Sequence, residues 1–348
     1  GVFSGDVAKS ETYGLTVCRL SEPANIAQPV FGWKMRSGRA GAAQGAYRLR
    51  VAKVNAGGAA ETVWDSGTVE TGESVGVAYA GPALASAATY KWSVRVRDEK
   101  GAWLAEAESA FETGLMKPDE WNGSVWISAP DAREATAEEK KAEIAAPGTS
   151  WFLKDVANAK KVVDARWTVT GLGAFEVYVN GSLVERKMPD GTSRRDFLKP
   201  GFTHVKKTRH SFTYDVMPYL KNDKDANNVF AAEVSAGWWR DKIVNYAGKK
   251  SAFRGMLLLR YADGTAERVG TDATWLSGNL GPVKSAGIFD GEIYDAREAP
   301  AWDQRGILKP AETNAEFNGS IVPMEGPPIR LRTDLALDPV SIYAWQGV

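Results

Sequence analysis

Apolar and polar residues alternate with a period of two along much of this chain, the pattern of half-buried β-strands. In Tyr90-Lys-Trp-Ser-Val-Arg-Val-Arg97, Tyr90, Trp92, Val94 and Val96 fall on one face, and Lys91, Ser93, Arg95 and Arg97 on the other. Tyr47-Arg-Leu-Arg-Val51 repeats the period, and Gly57-Gly58, Asp65-Ser-Gly67 and Asp98-Glu-Lys-Gly101 supply turns between such runs. Short strands at this spacing, over roughly a hundred residues, predict a two-sheet sandwich from Tyr13 to Lys117 behind an N-terminal tail of residues 1–12.

A second β-rich module is expected over residues 118–303, opening at Trp121-Asn-Gly-Ser-Val-Trp-Ile127. The polar insertion at 129–148 is rich in helix formers but lacks a broad apolar stripe, so it reads as a short surface helix or a mobile insertion. The β pattern resumes at Trp151 and runs through 162–169 and Ala174–Val179, where Asn180-Gly181 is a hairpin signal. Further strands are predicted at Asn228–Val234 and Met256–Tyr261, with a turn at Asp263-Gly264. Such a module fits a jelly-roll. After Trp302 the prolines 310, 323, 327, 328 and 339 are interspersed with short candidate strands, Ile329–Arg332 and Ser341–Tyr343. A piece this short cannot bury a core unaided. Residues 304–348 are therefore expected to be a linker and the start of a truncated third β-domain, or to dock on their neighbour. The fold class is all-β.

Composition narrows the function. With 43 basic and 43 acidic residues the net charge is zero, which argues against nucleic-acid and anionic-membrane partners. No run of 18 apolar residues is present to span a bilayer. Gly1-Val-Phe-Ser-Gly5 lacks the basic start and apolar run of a signal peptide, a segment that processing would remove. One cysteine, Cys18, excludes an internal disulfide. With only His204 and His210 besides, a structural zinc site or a histidine-dependent triad has few candidates.

The run Asp290-Gly-Glu-Ile-Tyr-Asp-Ala-Arg297, followed by Trp302, resembles the signature that closes the N-terminal jelly-roll of bacterial α-L-rhamnosidases. The likeness extends through the chain in order. Trp64-Asp-Ser-Gly67 and Phe111-Glu-Thr-Gly114 resemble the family's first sandwich, and the corner at Leu84, Thr89 and Tyr90 is similar to that of fibronectin type III domains. Leu172–Glu176, Leu198–Thr203, Tyr214–Val216 and Gly237-Trp-Trp-Arg240 follow. The resemblance implies a fibronectin- or immunoglobulin-like sandwich, a jelly-roll and a partial third β-domain. It also implies rhamnose-containing glycans as partners and a secreted or periplasmic home. Catalysis in that family belongs to a helical barrel whose acidic motifs are not found here, so no catalytic residue is assigned. The chain is then the non-catalytic N-terminal part of an enzyme that hydrolyses terminal α-L-rhamnosyl bonds, its missing barrel being its partner. A self-contained carbohydrate-binding or adhesion protein and a purely structural scaffold are the alternatives.

Two clusters are candidate sugar contacts. Trp238 and Trp239 at a strand end could stack on a deoxysugar, with Arg240 and Asp241 reaching its hydroxyls. Asp290, Glu292, Tyr294, Asp295 and Arg297 form the second, their bland reading being an internal arginine–carboxylate network that fixes a loop or ties domains together. Some relatives of the jelly-roll bind calcium beside rhamnose. Here Arg195 precedes Asp196 and would repel a cation, so no cofactor is assigned, with Asp190, Asp196 and Asn228 as the remaining oxygen donors.

Overall fold

The structure is a computed structural model and describes residues 9–132, 137–141, 148–188, 190–240, 248–289, 291–344 and 346. The first alternating region becomes β1 (Glu11–Val17), β2 (Val30–Arg36), β3 (Gln44–Val54), β4 (Ala60–Glu70), β5 (Val75–Ala78), β6 (Thr89–Asp98) and β7 (Ala107–Glu112). A three-stranded sheet, β1-β2-β5, packs on a four-stranded sheet, β4-β3-β6-β7. Between them lie Phe31 and Trp33 from one side and Leu49, Val51, Trp92 and Val94 from the other. The inward residues are those the period of two selected. At the corner, the Ala85 N–H donates to Tyr90 Oη at 2.8 Å, which ties the approach to β6 onto its own first turn.

The second module begins with β8 (Ile127–Ser128), β9 (Thr149–Ala157), β10 (Val162–Leu172), β11 (Phe175–Val179) and β12 (Ser182–Leu183). It continues with β13 (Arg186–Lys187), β14 (Ser193–Arg194), β15 (Thr208–Asp215), β16 (Asn227–Val234), β17 (Ala252–Tyr261) and β18 (Ala266–Gly270). Last come β19 (Leu276–Leu280), β20 (Val283–Gly287), β21 (Gly291–Tyr294), β22 (Lys309–Pro310), β23 (Glu312–Thr313) and β24 (Ser320–Pro323). One sheet runs β23-β8-β17-β10-β15-β24 with β18 beside β17, and the other runs β12-β11-β16-β9-β19-β22. Trp167, Phe230 and Phe253 interlock between them, Trp167 meeting Phe230 edge-on at 5.1 Å. Asn180 (φ 50°) and Gly181 (φ 80°) take the left-handed conformations that the β11–β12 turn requires. Within the polar insertion, the described residues hold one helical turn, α1 (Ala137–Lys141).

The segment after Asp303 follows the docking alternative. It is not set off as a third unit: β22 pairs with β19, β23 with β8, and β24 runs parallel to β15, so residues 309–323 complete the second sandwich. Ile329–Arg332 and Ser341–Tyr343 are not strands. Pro327 and Pro328 withhold two N–H groups, and Arg330 is instead drawn to Glu22 (3.1 Å) and to Asp196.

The two sandwiches meet through buried charge. Arg166, on the outer face of β10, donates to Glu112 of β7 at 3.3 Å, to Thr89 of β6 at 2.9 Å and to Asp164 at 3.1 Å. Arg186 donates to the other Glu112 oxygen at 3.3 Å and to the Thr213 carbonyl at 3.1 Å. Asn25 bridges the same boundary, accepting from the Thr213 N–H at 2.8 Å and donating to the Met324 carbonyl at 3.1 Å. Removing one partner strands the others away from water. Arg166→Met is expected to lower unfolding stability by about 3–5 kcal/mol, since Glu112 and Asp164 lose a buried counter-charge. Urea denaturation checks this, with a surface control such as Lys34→Met expected to change stability by less than about 0.5 kcal/mol.

Candidate functional site

Strand alternation places polar residues on the outer face of the β11–β16–β9 sheet. Phe175, Val177 and Val179 point inward from β11, leaving Glu176 and Tyr178 on the other side. Ala232 and Val234 do the same for Glu233 on β16. The register sets Glu176 opposite Glu233, and Glu233 opposite Trp151 of β9, so the three form one row across the sheet. Sequence alone carries half of this signal, a carboxylate at the outward positions 176 and 233. The register that unites them could not be read.

Three walls turn this row into a cleft of about 560 Å³. The first is aromatic: Trp302 meets Trp151 edge-on at 5.4 Å and Tyr178 at 5.2 Å, and Trp151 stacks on Tyr178 at 5.5 Å. The second is the β20–β21 hairpin, whose register pairs Val283 with Tyr294 and Ala286 with Glu292. The third is the 195–199 loop. Arg195 donates to Glu176 Oε1 at 2.8 Å and Lys199, itself buried, donates to Oε2 at 2.8 Å, so both oxygens of Glu176 are held. Among the described residues the Glu233 carboxyl accepts only from the Thr149 hydroxyl. Burial pushes its carboxyl up to about 7, with the charges of Glu176 and Glu292 adding to the effect against the Thr149 hydrogen bond. The Glu292 side chain has no hydrogen-bond or ion-pair partner among the described residues.

A larger cavity of about 970 Å³ lies between the sandwiches, lined by Glu112, Arg166, Arg186 and Asp164. These four charges are paired, Arg166 with Glu112 and Asp164 and Arg186 with Glu112, and serve the joint.

The expected site residues divide. Glu292 and Tyr294 line the cleft. Asp295 and Arg297 do not tie domains together. Arg297 forks onto Asp295 at 2.8 and 2.7 Å within the same turn, holding that carboxyl well below its usual range, and the Arg297 side chain is 89% exposed. Trp238 and Trp239 lie on a helical turn, α2 (Gly237–Arg240), rather than at a strand end, because the N–H groups of Trp239 and Arg240 both fold back to the Ala236 carbonyl. Trp239 is 5% exposed, donates to the Lys250 carbonyl at 2.9 Å and packs with Trp126, Leu172 and Phe317, so its ring offers no face to a ligand. Trp238 meets the exposed Phe202 edge-on at 6.2 Å. Arg240 donates to the Ser251 hydroxyl at 3.0 Å. Asp241 and Asp290 lie outside the described residues.

Nor do the candidate oxygen donors share a setting. Asp196 is 3% exposed and bound by Arg186, Tyr214 and Arg330, which keep its carboxyl low despite the burial that would raise it. Asn228 is held by Asn180 and Asn158, and Asp190 closes a turn onto Thr192.

Because Glu233 is raised in the folded state, folding favours its protonated form. The associated stability is complete below the ordinary glutamate range and is lost as pH rises through about 7. Glu233→Gln is therefore expected to stabilise the protein at pH 8.5 by about 1–3 kcal/mol and to change little at pH 4.5. Thermal unfolding at the two pH values checks it.

Two family models match the chain in order: the Rha78A-like N-terminal immunoglobulin domain over residues 12–117, and the α-L-rhamnosidase N-terminal domain over residues 160–333, half of the chain. An α-L-rhamnosidase from Alteromonas sp. is 28% identical over 313 residues, covering 88% of this chain and 32% of the relative. The solved α-L-rhamnosidase of Aspergillus terreus superposes with a TM-score of 0.77 at 23% identity, covering 92% of this chain and 36% of that one. That from Dictyoglumus thermophilum gives 0.72 at 25% identity, with the same two coverages of 92% and 36%. The chain thus spans about a third of the length of these relatives. Two adjoining sandwiches, each matched by its own model in their order along the chain, assign this chain to the α-L-rhamnosidase N-terminal domain family.

Proposed function

We propose that this chain forms the non-catalytic N-terminal modules of an α-L-rhamnosidase, a pair of rigidly joined sandwiches that support and orient a catalytic domain acting on terminal α-L-rhamnosyl bonds. The observation that carries the reading is the ordered match of both family models, in relatives about three times as long. The charge joint suits a supporting role, because Arg166, Arg186 and Glu112 set one angle between the sandwiches and leave little freedom for a hinge.

The cleft's carboxylates favour the same reading. A glycosidase needs two carboxyl groups on either side of the scissile bond. Glu176 and Glu233 are direct cross-strand neighbours whose side chains leave the sheet in the same direction, so no bond passes between them. Glu176 is moreover held at both oxygens by Arg195 and Lys199.

The test is release of chromophore from an aryl α-L-rhamnoside. Residues 1–348 alone are expected to give the uncatalysed rate, and the full-length protein a rate many orders of magnitude higher. Turnover by the 348-residue chain that disappears in Glu233→Gln would overturn the reading.

A further inference from the structure

Beyond Pro328 the alternation of the strands returns without a sheet to receive it. Across residues 329–338, Ile329, Leu331, Leu335 and Leu337 fall on one side, and Arg330, Arg332, Asp334 and Asp338 on the other. That is the period of a strand with one buried face. Yet no described residue beyond Pro323 lies in a strand, and the one regular element there is a 3-10 turn over Thr333–Leu335. The apolar side is left bare. Leu331, Leu335, Leu337, Val340, Ile342 and Tyr343 all face solvent, the least exposed of them, Leu335, at 63%. Single exposed apolar residues are ordinary, whereas such a run along one short segment marks an interaction surface.

The segment is fixed at its near end only. The Phe197 N–H donates to the Ile329 carbonyl at 3.1 Å, and Arg330 donates to the Arg195 carbonyl at 2.9 Å besides its bonds to Glu22 and Asp196. Beyond Arg330 the hydrogen bonds among the described residues are local. Arg332 forks onto Asp334 at 2.8 and 2.6 Å, and the N–H groups of Leu335 and Ala336 fold back to the carbonyls of Arg332 and Thr333. From 337 to 343 no backbone group has a partner among the described residues. Free backbone groups and an alternating apolar face are the two things that strand addition to a sheet edge uses, the first for affinity and the second for specificity.

We propose that residues 331–343 are a docking strand, which adds to the open edge of a β-sheet in the portion of the parent protein that follows these modules, with Leu331, Leu335 and Leu337 entering that sheet's apolar core. The proposal rests on the reading that a larger portion follows these modules, and not on what that portion cleaves. Two observations select this occupant. Both matching models describe N-terminal domains, and the relatives are about three times as long, so the greater part of such a protein lies downstream of this region. The anchor is also placed for it: Arg330 grips Glu22 of the first sandwich and Asp196 of the second, so a partner seated on the segment is held against both sandwiches at their joint.

The experiment compares hydrogen exchange of residues 331–343, read by mass spectrometry, in the full-length protein and in the 348-residue chain. Exchange in the full-length protein is expected to be slower by about a hundredfold or more, the segment of the shorter chain exchanging like an unstructured peptide. Leu335→Lys combined with Leu337→Lys is expected to abolish the slowing, and Arg332→Ala, on the polar side, to leave it. Should the double variant fail to fold, the milder Leu337→Ala is expected to reduce the slowing by about tenfold. Sedimentation equilibrium is expected to show the 348-residue chain as a monomer. The proposal is overturned if the segment exchanges equally fast in both proteins, if Arg332→Ala removes the slowing while the apolar-side variants keep it, or if the 348-residue chain is a dimer whose segment is already protected. Turnover of an aryl α-L-rhamnoside is measured on the same full-length sample. Fast exchange with turnover sinks the docking strand alone, and slow exchange without turnover sinks the rhamnosidase reading alone.

Discussion

Among the contacts that join the two sandwiches, one carboxylate takes a central place. Glu112, at the end of the last strand of the first sandwich, accepts from Arg166 with one oxygen and from Arg186 with the other. Both arginines are more than nine-tenths buried, so each needs that charge and each restricts where it can sit. Arg166 belongs to the central β10, while Arg186 reaches through Asp196 to Arg330 and the C-terminal segment. One acidic side chain therefore couples the first sandwich, the core strands of the second and the chain beyond them.

That coupling leaves the opposite sheet free for other work. The sheet that faces the joint carries Arg166, Thr168 and Thr213 on its outer side, and the sheet that bears Glu176 and Glu233 faces away from it. The hydrophobic core between them holds Trp167, Phe230 and Phe253, and the 195–199 loop links the two outer faces, Asp196 joining the Arg186 network while Arg195 and Lys199 hold Glu176.

Much of the architecture was legible from alternation. The strand at Tyr90–Arg97, the hairpin at Asn180-Gly181 and the jelly-roll pattern all reflect local periodicity, which the sheets preserve. For the segment after Asp303 the sequence left docking and a separate domain both open, because its strands are two to four residues long and pair with partners more than thirty residues away. No local pattern announces such an edge. The site divided for the same reason. Glu292 and Tyr294 were visible as polar residues crowded into a family signature, whereas Glu176, Glu233 and Trp151 are single outward positions on three strands that only register unites. Of the tandem tryptophans, Trp239 meets its polar need inside, at the Lys250 carbonyl, which the sequence does not announce.

The central claim is that buried charge locks the two sandwiches into one rigid body, and small-angle X-ray scattering at low and high salt tests it most directly. Surface ion pairs weaken as the screening length falls from about 10 Å at 0.1 M to about 3 Å at 1 M salt, whereas pairs removed from water are screened far less. The account expects a scattering curve that matches this single arrangement and does not change between 0.05 M and 1 M sodium chloride, both concentrations bracketing roughly that range. A radius of gyration that grows with salt, or a curve that only an ensemble of inter-sandwich angles can fit, would contradict it.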